Sequence, residues 1–259
     1  MPPAMESCVL LAWGHAELGT FAEGRPLGEE GLRLAEVVDQ PASLIRAYHG
    51  LGLLALYQGD LRRAFSWLER AMGICQDVDL SSHFPGIAAA LGTAYTLSGR
   101  VAEAVPLLTG AMEQTSARTS AVGVRLLCCP LGEALLLVGR LEEAHALAER
   151  ALEHAHKHKE RGHEAYALRL LSEVDAHRNP PATALAETHY QQALALAEEL
   201  GMRPLLAHCH RGLGTLYAQT GQAEQARVAL SAAITLYRAM DMTFWLPQAE
   251  ATLTQVEEK

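Results

Sequence analysis

The chain has 259 residues, 49% of them apolar and 5% aromatic, and Lys+Arg 21 against Asp+Glu 30 give a formal net charge of −9. That length and apolar content argue against disorder. The negative balance, with no basic run, argues against a nucleic-acid backbone as partner, and no window reaches the ~18 consecutive apolar residues of a membrane span.

Ala and Leu dominate where aromatic and β-branched residues would mark sheets, so the chain reads as all-α. The opening MPPAMESCVLLAWGHAELG lacks the basic region of a secretory signal, which points to a cytoplasmic protein. Five cysteines (Cys8, Cys75, Cys128, Cys129, Cys209) show no CxxC spacing and read mostly as small buried hydrophobes.

A repeat sets the elements in chain order. A degenerate first copy has Leu11-Ala12 ahead of Gly19, and carries Trp13. In the second copy Leu51-Gly52 precedes Gly59, Ala64 and Ala71; in the third Leu91-Gly92 precedes Gly99, Ala104 and Ala111; in the fourth Leu131-Gly132 precedes Gly139, Ala144 and Ala151. Each step is 40 residues (92−52, 132−92). Leu171-Ser172 opens a fifth copy, and Leu213-Gly214 a sixth after 42 residues (214−172), the excess falling around Asn179-Pro180-Pro181. The copies span 5–40, 42–80, 84–118, 120–159, 162–201 and 204–240, and a capping helix over 243–257 brings Phe244, Trp245 and Leu246 onto the sixth.

The frame has physical reasons. Glycine inside a helix costs about 1 kcal/mol relative to alanine, so Gly52, Gly92, Gly132 and Gly214 imply close approach of a second helix, with Ala64, Ala104, Ala144 and Ala226 expected as its surface. Gly59, Gly99, Gly139 and Gly221 fall where the first helix ends, as left-handed caps. Each copy is therefore a helical hairpin whose apolar stripe is buried by stacking on its neighbours. Pro41, Pro85 and Pro204 suit helix starts, whereas Pro106 and Pro130 fall inside predicted helices and should bend them.

The frame Leu-Gly, Tyr, Gly, Glu-Ala, Leu, Ala, clearest in LGTAYTLSGRVAEAVPLLTGA and LGTLYAQTGQAEQARVALSAA, resembles the tetratricopeptide repeat. The resemblance implies a single domain over 1–259 that is a right-handed superhelical solenoid of antiparallel helix pairs, although its period exceeds the usual ~34 residues. The segments KERGHEAYALRLLSEVDAHRNPP, ALALAEELGMRPLLAHCHRGLG and YRAMDMTFWLPQAEATL are similar to long-period arrays at the C-terminal ends of bacterial signalling ATPases and nucleotide cyclases. That likeness implies a regulatory or sensor module as the alternative function.

Motifs for chemistry are few. The sequence has no GxxxxGK[ST], HExxH or GxSxG, which argues against an enzyme. His154, His156, His158 and His163 come closest to a metal cluster, but their Lys- and Glu-rich surroundings read as a solvated helix end, so no metal or cofactor is expected. What remains is surface. In stacked hairpins the first helices line the concave side, where the frame places Trp13, Arg46, His49, Leu53, Tyr57 and Glu133 from the earlier copies. The later copies add Tyr166, Arg169, Glu173, His177, His208 and Arg211. These residues suit an extended or helical segment of a protein partner, with Arg169 and Arg211 pairing carboxylates. Equally, Arg169 has Glu173 one turn on as a partner, and Trp13 can belong partly to the core. A small ligand in the groove is a further alternative, and the array's open ends leave room for a homodimer.

Overall fold

A computed structural model describes residues 3–78, 80, 82–117 and 121–258. The expected end of the third copy at 118 and the expected start of the fourth at 120 lie outside the described residues. Two compact units make up the chain, residues 1–138 and 139–259. All regular structure among the described residues is helical.

The first unit holds α1 (Pro3–Leu18), α2 (Phe21–Val38), α3 (Pro41–Gln58), α4 (Leu61–Asp77), α5 (Phe84–Leu97), α6 (Val101–Ala117) and α7 (Ala121–Leu137). Helices α1/α2, α3/α4 and α5/α6 pair as hairpins, and each first helix also packs on the hairpin before it. The second unit holds α8 (Leu141–His158), α9 (Arg161–His177), α10 (Thr183–Glu199), α11 (Arg203–Gln219), α12 (Ala223–Ala239) and α13 (Leu246–Glu257). Here α9/α10 and α11/α12 are the hairpins, α8 packs on α9, and α13 packs on α11 and α12. No described helix is long and apolar enough to cross a membrane.

Hairpin turns follow one chemistry. Gly59 takes φ 85° after α3, its N–H reaching Leu56 O while Asp60 N reaches Ala55 O; this double bond caps the helix and needs a residue that enters the left-handed region cheaply. The Asp60 side chain then accepts from Arg63 N at 3.1 Å and starts α4. Gly99, Gly139 and Gly221 share the positive φ, as expected.

Glycines inside the first helices do face their paired helices, but the partner differs from the expectation. A Cβ on Gly52 would stand 2.5 Å from Leu68 Cδ2, one on Gly92 2.5 Å from Leu108 Cγ, and one on Gly214 2.6 Å from Leu230 Cγ. The knob is thus a leucine one helical turn beyond Ala64, Ala104 or Ala226. Those alanines are fully buried too, but the atoms nearest each glycine's Cβ position belong to the leucine. Leu68, Leu108 and Leu230 have no exposed surface, and each contributes about 1.5–3 kcal/mol by its burial.

Two places depart from the frame. In the fifth copy Ser172 occupies the glycine position, its Oγ donating to Leu168 O at 2.7 Å. The longer loop there is tied to a fully buried Asp175, which lies 3.3 Å from Arg178 Nε and 3.0 Å from His189 Nδ1 and whose carbonyl accepts from Ala182 N. The capping helix begins at Leu246 rather than Thr243. Trp245 precedes it as a buried plug, while Phe244 is only half-buried. Pro41, Pro85 and Pro204 stand in first turns, and Pro106 and Pro130 lie within α6 and α7.

Gly92→Ala forces a methyl group among three carbons of a side chain that has no free space to retreat. We expect it to destabilise the fold by about 1–3 kcal/mol, although alanine is the better helix former. Gly110→Ala in α6, where a Cβ meets nothing within 4 Å, should instead gain up to about 1 kcal/mol. Urea unfolding of the two variants checks the contrast, and equal effects would remove the steric explanation.

Candidate functional site

In the first unit the expected residues fall on three first helices. Trp13 on α1 and His49 on α3 bring their rings to 6.5 Å. Beside them Arg46 pairs with Glu6 at 2.9 Å, and the Tyr57 hydroxyl donates to the Glu17 carboxylate at 3.0 Å. Leu53 is buried, and Glu133 is half-buried on α7. Arg46–Glu6 and Tyr57–Glu17 each link residues 40 apart (46−6, 57−17), so equivalent rows of successive copies hold one another.

His49 is the most constrained of this group. The bare backbone of Gly86 on α5 closes over it, a Cβ there standing 3.1 Å from His49 Cε1. Its Nε2 is buried and finds no hydrogen-bond partner among the described residues. Burial lowers its pKa to about 4, and the nearby His83 and Arg46 push the same way, against a hydrogen bond to the Gly86 backbone.

The second unit gathers its residues between α9, α11 and α13. Arg169 Nη1 donates to Glu173 Oε1 at 2.5 Å within α9, so the alternative of an intrahelical pair describes this structure. Arg211 Nη1 donates to Gln248 Oε1 of α13 at 2.8 Å. His208 shares a 2.8 Å hydrogen bond with the Tyr237 hydroxyl and presents its ring to the edge or face of Trp245, with centroids 4.7 Å apart. Burial holds His208 well below the usual histidine range, and the charges of Arg169 and Arg211 add to this. Cys209 on the same helix is fully buried and its thiol is pushed up to about 12, chiefly by burial. Tyr166 packs partly into the core cluster of this unit. His177 is exposed, its Nδ1 donating to the Glu173 carbonyl at 2.7 Å.

Sequence reasoning missed Glu6, Glu17, His83 and Gly86 in the first unit and Tyr237 and Gln248 in the second, and placed Trp245 on the sixth copy without its contact to His208. The signal for Glu6 and Glu17 was present, since a side chain on a first helix meets its own register position one period away. The capping residues had no such guide, because α13 has no counterpart preceding it. Of the histidines around 154–163, His156 Nε2 lies 3.0 Å from Glu164, His154 and His163 each lie 3.8 Å from Glu160, and the His158 ring lies 4.3 Å from that of His154. Among the described residues no group of three or more His, Cys, Asp or Glu side chains is placed to hold a metal ion.

The depressed pKa of His49 has a defined sign. An unfolded chain takes up a proton on this ring near pH 6.5 and the native chain only near 4, so unfolding binds protons and stability falls as pH drops through that window. Between pH 7 and 5 the wild type should lose up to about 2 kcal/mol more than a His49→Gln variant. Chemical unfolding at several pH values measures this; parallel curves would contradict it.

Residues 44–78 and 182–239 each match a family model described as Tetratricopeptide repeat. No curated protein matches the chain. Among solved structures, it is similar to BtubC (BKLC) from P. vanneervenii, at TM-score 0.54 and 19% identity over 92% of each chain. It is also similar to a Rap protein complexed with Competence and Sporulation Factor, at TM-score 0.66 and 13% identity over 97% of this chain and 85% of the other. The apo form of RapI gives TM-score 0.60 and 12% identity over 98% and 71%. At such identities these likenesses show the fold, an all-α repeat solenoid. The two matched segments are tetratricopeptide repeats, and the same glycine and leucine frame recurs before, between and within them.

Proposed function

We propose that this protein is a non-catalytic interaction scaffold whose first-helix faces take up a segment of a protein partner. One observation carries the reading: in the first unit Arg46 with Glu6 and Tyr57 with Glu17 pair between successive first helices, so these polar side chains are fixed across the first-helix face rather than within a hairpin. Such rows present rigid groups to a ligand at little cost in side-chain freedom. The first unit offers a mainly apolar face built on Trp13 and Leu53 and flanked by Arg46, His49, Tyr57 and Glu133. The second offers Tyr166, Arg169, Glu173, His177, His208 and Arg211. Two guanidinium groups near one buried imidazole favour a carboxylate-bearing segment there; binding then exchanges the Glu173 carboxylate on Arg169 for one from the partner. The similar Rap protein, whose structure contains Competence and Sporulation Factor, supports a ligand-binding role for arrays of this shape.

An Arg169→Ala/Arg211→Ala variant tests the reading. Partner recovery from native extract, followed by quantitative mass spectrometry, should fall at least about tenfold, since each lost charge-assisted bond contributes about 1.5–3 kcal/mol. An Arg227→Ala/Arg238→Ala control on the exposed surface of α12 should leave recovery unchanged. Equal recovery by all three proteins would reject these arginines as the binding groups.

A further inference from the structure

Successive hairpins of the first unit meet in equivalent steps, so one step serves as a standard for another. Between the second and third hairpins, Phe65 of α4 and Tyr95 of α5 bring their rings to 5.5 Å. The Arg100 guanidinium covers both, 5.3 Å from the first ring and 4.3 Å from the second. Forty residues earlier (65−25, 95−55) the same two positions hold Arg25 on α2 and Ala55 on α3. Where the later step is filled by two rings, the earlier one has a cleft of about 260 Å³, and Arg25 and Ala55 both line it.

Leu51, Leu54 and Ala55 give the cleft a buried apolar floor. That floor is fixed from below α2, since a Cβ on Gly28 would stand 2.7 Å from Leu51 and one on Gly24 2.9 Å from Leu54. Trp67 of α4 supplies an aromatic wall and is itself stacked on Tyr48 at 5.7 Å. Around these apolar groups the charges are separated. Arg25 Nη2 donates to the neutral Gln58 Oε1 at 2.8 Å, a partner that leaves the guanidinium charge uncancelled. Glu29, one turn along α2, lines the cleft as an exposed carboxylate. Arg63 lines it from α4 and stands 3.4 Å from Asp60, too far for a tight pair. We propose that this cleft binds an aromatic α-amino acid, with its ring over the apolar floor in the place that Phe65 and Tyr95 fill one step on. Arg25 and Arg63 then receive its carboxylate, and Glu29 receives its ammonium group. A ligand carrying only one of those charges leaves the opposite group on the rim unpaired. The volume lies just below the ~300 Å³ of pockets for larger ligands, which suits one ring and a short polar arm. The charged groups come from the second helices α2 and α4 rather than from the first-helix rows assigned to a protein partner.

Isothermal titration calorimetry of the full chain with L-phenylalanine up to about 10 mM tests this, with an expected dissociation constant of about 1 mM or below. L-Alanine lacks the ring, hydrocinnamate the ammonium and phenethylamine the carboxylate; each should bind at least about tenfold more weakly. Ala55→Tyr puts into the cleft the ring that Tyr95 supplies one step on, and should abolish binding. Arg25→Ala, at a half-buried surface position, should weaken binding at least about tenfold with unchanged circular dichroism, and it decides the matter if Ala55→Tyr disturbs the fold. Glu29→Gln should weaken L-phenylalanine and leave hydrocinnamate as it was or tighter. Arg169→Ala/Arg211→Ala should bind L-phenylalanine like the wild type, which separates this cleft from the partner-binding face. No saturable binding of L-phenylalanine, equal binding of L-alanine, or full binding by Arg25→Ala overturns the assignment. Full binding of L-phenylalanine by Glu29→Gln overturns it as well, because the ligand's ammonium group then has no place in the site.

Discussion

A leucine seated on the bare backbone of a glycine is the contact on which each well-formed hairpin depends. Leu68 on Gly52, Leu108 on Gly92 and Leu230 on Gly214 are one interaction made three times. Its geometry lets the two helices of a pair approach more closely than side chains on both would allow, and it fixes their relative register, because a shift of one residue would drive the leucine into a Cβ. Glycine's weak helix propensity is the cost. Complete burial of the leucine offsets it. Once the pair is fixed, the apolar stripe on its flank has to be covered by a neighbour, and the stack follows.

The same register organises the polar surface. Because successive first helices lie side by side, a residue on one meets the residue one period away on the next, which is how Glu6 meets Arg46 and Glu17 meets Tyr57. These pairs are half-exposed and contribute little to stability. Their effect is to hold long side chains in one orientation. In the second unit α13 and the residue before it perform this service instead, bringing Gln248 to Arg211 and Trp245 to His208. Burial, with the charges of Arg169 and Arg211 adding to it, holds His208 well below the usual histidine range, so the ring adds no third positive charge beside the two arginines.

Much of this was legible in the sequence, for reasons that can be named. Period, hairpin turns and helix-starting prolines are local signals, since Gly59 and Pro41 act through their own backbone torsions. The glycine inside the first helix announced a close contact, but not its partner. An alanine surface such as Ala64 sets small against small, whereas the structure sets the small Gly52 against the large Leu68, which fills space better. The capping helix starts three residues after the expected position 243, and the Trp245 ring is buried as a plug ahead of it. For the candidate site, residue positions followed from the register, but pairings within a helix, such as Arg169 with Glu173, compete with pairings across the face, and sequence offered both.

A double-mutant cycle on the third copy tests the central contact most directly. Gly92→Ala is measured by equilibrium unfolding in the wild type and again in a Leu108→Ala background. If the leucine seat is what forbids a methyl group at position 92, the alanine penalty disappears once the seat is empty, with a coupling of at least about 1 kcal/mol. Penalties that add to within about 0.3–0.5 kcal/mol would show that Gly92 and Leu108 act independently, and would contradict the account of how these hairpins are held together.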